Sequence, residues 1–160
     1  MAIVIRAAVP GDLASVDAIL ARSYPRLLKA DYPPSVLVTA LPLISRAQPA
    51  LMRSGTYFVA EEDGTILAAG GWTPVRRSRQ IGEVRHLVTD DRHLRRGLAR
   101  SLVEHSIDTA RAAGVRQFDC KATRTAEPFY AAMGFERLGA IDLDLAPGIT
   151  FPCVMMRRAI

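Results

Sequence analysis

The sequence predicts an α/β domain built on a mixed sheet, and three observations carry that prediction. The stretch Glu83 to Gly114 reads as a strand, a short basic loop and an amphipathic helix. A further strand, Val115 to Lys121, follows at once. A strand–helix–strand order implies parallel pairing through a right-handed crossover. Turn signals at Glu62-Asp63-Gly64 and Ala146-Pro147-Gly148, each between two apolar runs, add antiparallel hairpins on either side.

Ile3 to Ala7 is the first expected strand, with Ile3 and Ile5 alternating against Val4 and Arg6. Asp12 is placed to cap a helix whose apolar residues recur at Leu13, Val16, Ile19 and Leu20. Prolines 25, 33, 34, 42 and 49 then cut Tyr24 to Met52 into short pieces, with a helix between Ser35 and Arg46. Thr56 to Ala60 and Thr65 to Trp72 form a strand pair, and Gly70-Gly71 inside the second predicts a bulge or a close backbone approach. Pro74 to Gly82 is expected to be a polar connection carrying Arg76, Arg77 and Arg79. From Leu98 a helical spacing runs through Leu102, Val103 and Ile107 to a stop at Gly114. A short helix, Ala126 to Met133, tolerates Pro128 in its first turn, and strands Glu136 to Leu145 and Phe151 to Arg157 close the chain.

Size and composition bound the function. At 160 residues, the prior is one domain, residues 1–160, large enough to bury a core. No apolar run approaches the roughly 18 residues of a membrane span. The apolar part of the N-terminus is broken too soon by Arg6 and Pro10 to read as a signal peptide, so a cytoplasmic protein without membrane contact is expected. Cys120 and Cys153 then read as buried thiols, not a disulfide, and His86, His93 and His105 show no metal-ligand spacing with them. A net charge of +5 favours an anionic partner.

The chemistry concentrates where the helix begins, at Arg95-Arg96-Gly97-Leu98-Ala99. The first turn of a helix leaves backbone N–H groups unpaired and carries the positive end of the macrodipole. Gly97 and Ala99 allow close approach, and Arg95, Arg96 and Arg100 add positive charge. Such a site suits a pyrophosphate, although the loop taken alone fits a solvated turn equally well. The absence of Gly-Lys-Ser/Thr and of Gly-x-Gly-x-x-Gly excludes a Walker loop and a dinucleotide fingerprint.

The run Leu94-Arg95-Arg96-Gly97-Leu98-Ala99 resembles the coenzyme A loop of the GNAT superfamily of acyl-CoA N-acyltransferases, Arg/Gln-x-x-Gly-x-Gly/Ala, with Leu94 departing at the first position. Downstream, Ala126-Glu127-Pro128-Phe129-Tyr130-Ala131-Ala132-Met133-Gly134-Phe135 is similar to the family's Ala-x-x-Phe-Tyr-x-x-x-Gly-Phe signature. The resemblance covers roughly Tyr57 to Phe135 and rests on both motifs falling in the same order. It implies a mostly antiparallel twisted sheet of six to seven strands, helices on both faces, and a parallel strand pair at the cofactor cleft.

The same resemblance implies acetyl-CoA as cofactor. Its pyrophosphate would lie on the amides of Arg95, Arg96, Gly97, Leu98 and Ala99, with Arg100 and Phe129 nearby. Its pantetheine arm would run along Leu87, Val88 and Thr89, and an amide near Val88 would face the acetyl carbonyl. Tyr130 is the candidate general acid, because a phenol of ordinary pKa near 10 keeps its proton at neutral pH. Glu83, with His86 as runner-up, is the candidate base for an amine acceptor, either a small molecule or a peptide. Asp31, Glu61 and Glu62 are candidates for attracting a cationic acceptor, and an exposed sheet end is a candidate homodimer contact.

Two other readings share these residues. A CoA-binding module without catalysis would keep the loop and lose turnover. A basic nucleic-acid-binding domain would use both arginine clusters, but the chain lacks interleaved aromatics and any reading motif.

Overall fold

A computed structural model of the chain describes residues 2–160. In chain order the elements are β1 (Ile3–Ala7), α1 (Leu13–Leu28), α2 (Pro34–Ile44), α3 (Pro49–Met52), β2 (Tyr57–Glu62), β3 (Thr65–Val75), β4 (Ser78–Thr89), α4 (Leu98–Ala112), β5 (Gln117–Ala122), α5 (Glu127–Ala132), β6 (Glu136–Ala146) and β7 (Ile149–Ala159). The strands form one sheet in the order β1-β2-β3-β4-β5-β7-β6, antiparallel throughout except at β4–β5. This is the mixed α/β sheet that the sequence predicted.

Two apolar layers sandwich the sheet. The apolar stripe of α4 (Leu98, Leu102, Val103, Ile107 and Ala110) packs with Trp72, Phe118 and Phe135 on one face. Trp72 Nε1 donates to Thr109 Oγ1 at 3.0 Å, so the indole nitrogen is satisfied within that layer. On the other face α1 contributes Val16, Ile19 and Leu20 against Tyr57, Val59 and Val88. α2 seats Leu37 and Ala40 against Phe151 and Cys153 of β7.

Three expectations are corrected. The segment Pro74 to Gly82 is not a polar connection but a tight hairpin: Val75 pairs with Ser78, and only Arg76 and Arg77 form the turn. Arg77 is therefore held in place, 2.8 Å from Asp119. Pro25 does not end α1, which continues to Leu28. The carbonyl that Pro25 leaves without a partner belongs to Ala21, an exposed residue that water can satisfy. Asp12 precedes α1 without capping it. Its carboxylate accepts the Val9 N–H at 2.8 Å and the Arg6 guanidinium at 2.8 and 3.0 Å, closing the turn before the helix.

The glycine pair in β3 is structural. A Cβ on Gly71 would fall on the Thr56 carbonyl oxygen and the Tyr57 backbone. Gly70 stands opposite a bulge in β4, where the register steps from Ala69↔Val88 to Gly71↔Arg85 and so leaves two residues, His86 and Leu87, facing one.

Candidate active site

The site is made by a pairing that stops early. β4 and β5 are in register over only three residue pairs, Ile81↔Gln117, Gly82↔Phe118 and Glu83↔Asp119. Both strands continue beyond that point, so they splay apart and open a wedge. The bulge at His86–Leu87 drives the separation, because an extra residue bends a strand and raises its twist. It also reverses the facing of the strand. Val84 packs on the α4 side, whereas Val88 packs on the α1 side.

Three hydrogen bonds hold the bulge. The Tyr57 hydroxyl donates to the His86 carbonyl at 2.8 Å, and the Tyr24 hydroxyl reaches the Leu87 carbonyl at 3.5 Å. His86 Nε2 lies 2.9 Å from the Ile44 carbonyl, which can only accept, so Nε2 carries the proton. His86 sits at φ 48°, a strained backbone for a side chain of its size.

The wedge is a cleft of about 730 Å³. Leu87, Val88 and Thr89 form one lip, Phe129 and Tyr130 another, and Leu94 and Ala99 the end near the basic loop. The Asp90 N–H donates to the Leu67 carbonyl at 2.8 Å, and Val88, opposite Ala69, faces β3 in the same way. By strand alternation the amide turned toward the cleft is that of Thr89, not of Val88 itself.

The basic loop has the geometry of an anion cradle. Gly97 adopts φ 76° and stands at the N-cap of α4 with no side chain capping the helix. The first intrahelical bond runs from Ser101 N–H to the Gly97 carbonyl at 3.0 Å. The amides of Leu98, Ala99 and Arg100 precede it and have no partner one turn back. Nothing lies within 4 Å of where a Gly97 Cβ would be, so the turn faces open space. These donors, the free approach and the adjoining cleft fit the diphosphate and thioester ends of a coenzyme A molecule.

Most of the arginines around the loop are paired with carboxylates. Arg96 is fixed to Glu62 at 2.7 Å, Arg92 to Asp90 at 3.2 Å and Arg100 to Glu104 at 3.0 Å. Among the described residues Arg95 is the one guanidinium of the loop with no acidic partner. α1 anchors the loop from behind. Arg22 pairs with Asp90, and Ser23 Oγ accepts the Asp91 N–H at 3.1 Å. Burial pushes the Asp90 carboxyl up, but its bonds from Arg92 and the charge of Arg22 outweigh that and hold it below the usual range.

Tyr130 lies on α5 between the rings of Phe129 and Phe135, at centroid distances of 5.2 and 5.3 Å. It lines the cleft although only 4% of its surface is exposed. Burial pushes its hydroxyl pKa well above the ordinary phenol value, with Cys120 beside it adding to the effect. Burial also pushes the Cys120 thiol up to about 12, which leaves it protonated and inert as a nucleophile. Glu83 stands at the point where β4 and β5 part, its carboxylate 3.5 Å from Lys121 Nζ. His86 borders the same cleft, but Nε2 is engaged by Ile44 and Nδ1 is buried without a partner, so neither nitrogen exchanges protons with the cleft in this geometry.

The family model for the acetyltransferase (GNAT) family matches residues 19–135, well over half of the chain. The chain belongs to the GNAT acetyltransferase family. Its fold is that of solved GNAT structures. A GCN5-related N-acetyltransferase from Rhodopseudomonas palustris superposes with a TM-score of 0.83 at 17% identity, over 100% of this chain and 97% of that one. The PaiA N-acetyltransferase from Thermoplasma acidophilum, solved with coenzyme A, gives 0.75 at 15% identity, with 100% of both chains covered. YncA, described as a putative acetyltransferase from Salmonella typhimurium and solved with acetyl-CoA, gives 0.71 at 18% identity, over 99% and 94%. No curated protein sequence matches the chain.

In this GNAT chain the cleft has walls that sequence motifs do not mark. Tyr24, Leu27 and Leu28 of α1, Leu43 and Ile44 of α2, and Leu143, Leu145 and Phe151 of the β6–β7 hairpin also line it. Arg85 and Gln48 join them. These residues are ordinary core or surface types until the topology brings them together. The strand alternation that puts Arg85 on the face of Glu83 is the one signal that sequence reading missed. Asp31, Glu61 and Glu62 do not border the cleft. Glu61 pairs with Arg6, Glu62 with Arg96, and Asp31 accepts from the Thr125 hydroxyl. Among the described residues there is no cluster of His, Cys, Asp and Glu able to hold a metal ion, and no helix long and apolar enough to cross a membrane.

Proposed function

We propose that the chain, acting as one domain, transfers the acetyl group of acetyl-CoA to an amine nitrogen while both substrates are bound. The observation that carries this reading is that Leu94 and Ala99, on either side of the Gly97 turn, line the same cleft as Tyr130, at the point where β4 leaves β5. In that reading Gly97, Leu98, Ala99 and Arg100 bind the diphosphate through backbone amides, with Arg95 as the free countercharge. Leu87, Val88 and Thr89 guide the pantetheine arm, and the Thr89 amide faces the carbonyl. Phe129 closes the side against water. Acetyl-CoA supplies a thioester whose carbonyl carbon the amine attacks.

Glu83 takes the proton that the incoming ammonium must lose, directly or through one water. Tyr130 holds its proton at Oη for the departing sulfur. The raised pKa of Tyr130 is not an obstacle, because the leaving group feels the same surroundings. The burial that lifts the Cys120 thiol to about 12 penalises any free thiolate at this place, so the sulfur accepts the proton as the C–S bond breaks.

Tyr130→Phe tests the assignment. The variant is expected to lower thiol release from acetyl-CoA by about 100-fold or more, with affinity for coenzyme A unchanged. Unchanged turnover would make Tyr130 a packing residue.

A further inference from the structure

We infer that the acceptor is an amine that carries its own carboxylate next to an apolar body, a free amino acid or close analogue, and that Arg85 anchors the carboxylate. The inference rests on the acetyl-transfer reading and specifies its second substrate.

Among the described residues Arg85 is the one arginine lining the cleft, and it has no acidic partner. Its guanidinium is nevertheless oriented. Nη1 donates to Thr73 Oγ1 at 3.2 Å and Nη2 to Gln48 Oε1 at 3.1 Å, two neutral acceptors that fix the fork without cancelling its charge. The other cation of this half, Lys121, is already matched with Glu83 at 3.5 Å. Arg85 is two residues from Glu83, before the bulge, so both project from the same face of β4, about 7 Å apart along the strand. A zwitterion bridges such a pair, its ammonium toward Glu83 and its carboxylate toward Arg85.

The remaining wall selects the body of the molecule. Leu27, Leu43, Leu143, Leu145 and Phe151 offer apolar surface, with the exposed carboxylate of Asp144 at its border. A long neutral polar side chain would lose its hydration against that surface without replacement, whereas leucine-like or phenylalanine-like side chains would be covered. The reaction balances as an amide synthesis. The ammonium gives one proton to Glu83 and the freed amine bonds to the acetyl carbon. As the C–S bond breaks, sulfur takes the Tyr130 proton, the second proton that nitrogen loses restores the Tyr130 phenol, and the proton held by Glu83 passes to solvent. The products are an N-acetyl amino acid and the coenzyme A thiol.

The test is steady-state thiol release from acetyl-CoA with matched acceptors: L-leucine against isopentylamine and leucinamide, and L-phenylalanine against phenethylamine. The amino acids are expected to have kcat/KM at least about tenfold above their carboxylate-free counterparts, as a lost bond to a charged group implies. In Arg85→Gln that ratio should collapse to near unity while calorimetric affinity for coenzyme A stays the same. Arg79→Gln, an exposed arginine of the same strand outside the cleft, should leave the ratio untouched. Coenzyme A binding with equal use of amines and amino acids, with no acceptor used, or with an Arg85→Gln ratio unchanged from wild type, would overturn the inference alone. Absence of coenzyme A binding would overturn the acetyl-transfer reading beneath it.

Discussion

His86 shows how one residue couples shape to protonation. Burial pushes its pKa below the ordinary 6.5, partly countered by the bond to the Ile44 carbonyl and reinforced by the charge of Arg85. The folded protein therefore resists a proton that the unfolded chain accepts. The contribution of this group to stability is complete above 6.5 and is lost as pH falls from there toward the folded value. Urea unfolding at about pH 7, 6 and 5 is expected to show stability falling with pH. His86→Asn, which tolerates the positive φ of 48°, should flatten that slope. An identical slope in the variant would remove His86 from the account. The sequence offered His86 as a second base because histidine types in a predicted strand beside a cofactor loop invite it. Only the fold reveals that Nε2 is spent on Ile44 and Nδ1 is enclosed. Tyr130, by contrast, was legible as a candidate, since a local motif fixes its place on α5.

At the scale of elements, the loop between β4 and α4 is tied to α1. Ser23 has no exposed surface, and its hydroxyl accepts the Asp91 N–H at 3.1 Å and meets the Asp91 carboxylate at 3.3 Å. Ser23→Ala would strand that amide at a cost of about 1–3 kcal/mol. A fall in the urea midpoint with an unchanged m-value would register it, together with weaker coenzyme A binding as the loop loosens. Stability and affinity both unchanged would show that α1 does not position the loop. This coupling was not legible in the sequence, because Ser23 and Asp91 are 68 residues apart. The strands, by contrast, were legible wherever apolar alternation met a turn signal, as in β1 and β3. The reading failed at Pro74 to Gly82, where arginines and a proline suggested a loop. Burial of Gly82 against Trp72 and Phe118, and the Arg77–Asp119 pair, keep that segment in the sheet. It failed at Pro25 as well, where packing of α1 against the sheet overrides one missing hydrogen bond.

Across the molecule, function depends on a sheet that is continuous except at one seam. Six strand pairings tie the seven strands together, and the shortest of them, β4–β5, is the parallel one. The half of the cleft proposed for the cofactor borders the seam through residues near in sequence, between Leu87 and Ala99, and the sequence offered it as a motif. The half proposed for the acceptor is assembled from α1, α2 and the β6–β7 hairpin, which no local pattern connects. The central claim is that the Gly97 turn grips a diphosphate and thereby sets a thioester beside Tyr130. Calorimetric titration with acetyl-CoA, paired with thermal melting, tests it most directly. One equivalent is expected to bind, and at 100 times its Kd the ligand adds about 2.7 kcal/mol, raising the Tm by roughly 5–10 °C for a chain of this size. Gly97→Val, which opposes the φ of 76° and fills the open space before the amides, should abolish most of that shift. No heat and no shift at millimolar acetyl-CoA, or binding unaffected by Gly97→Val, would contradict the account.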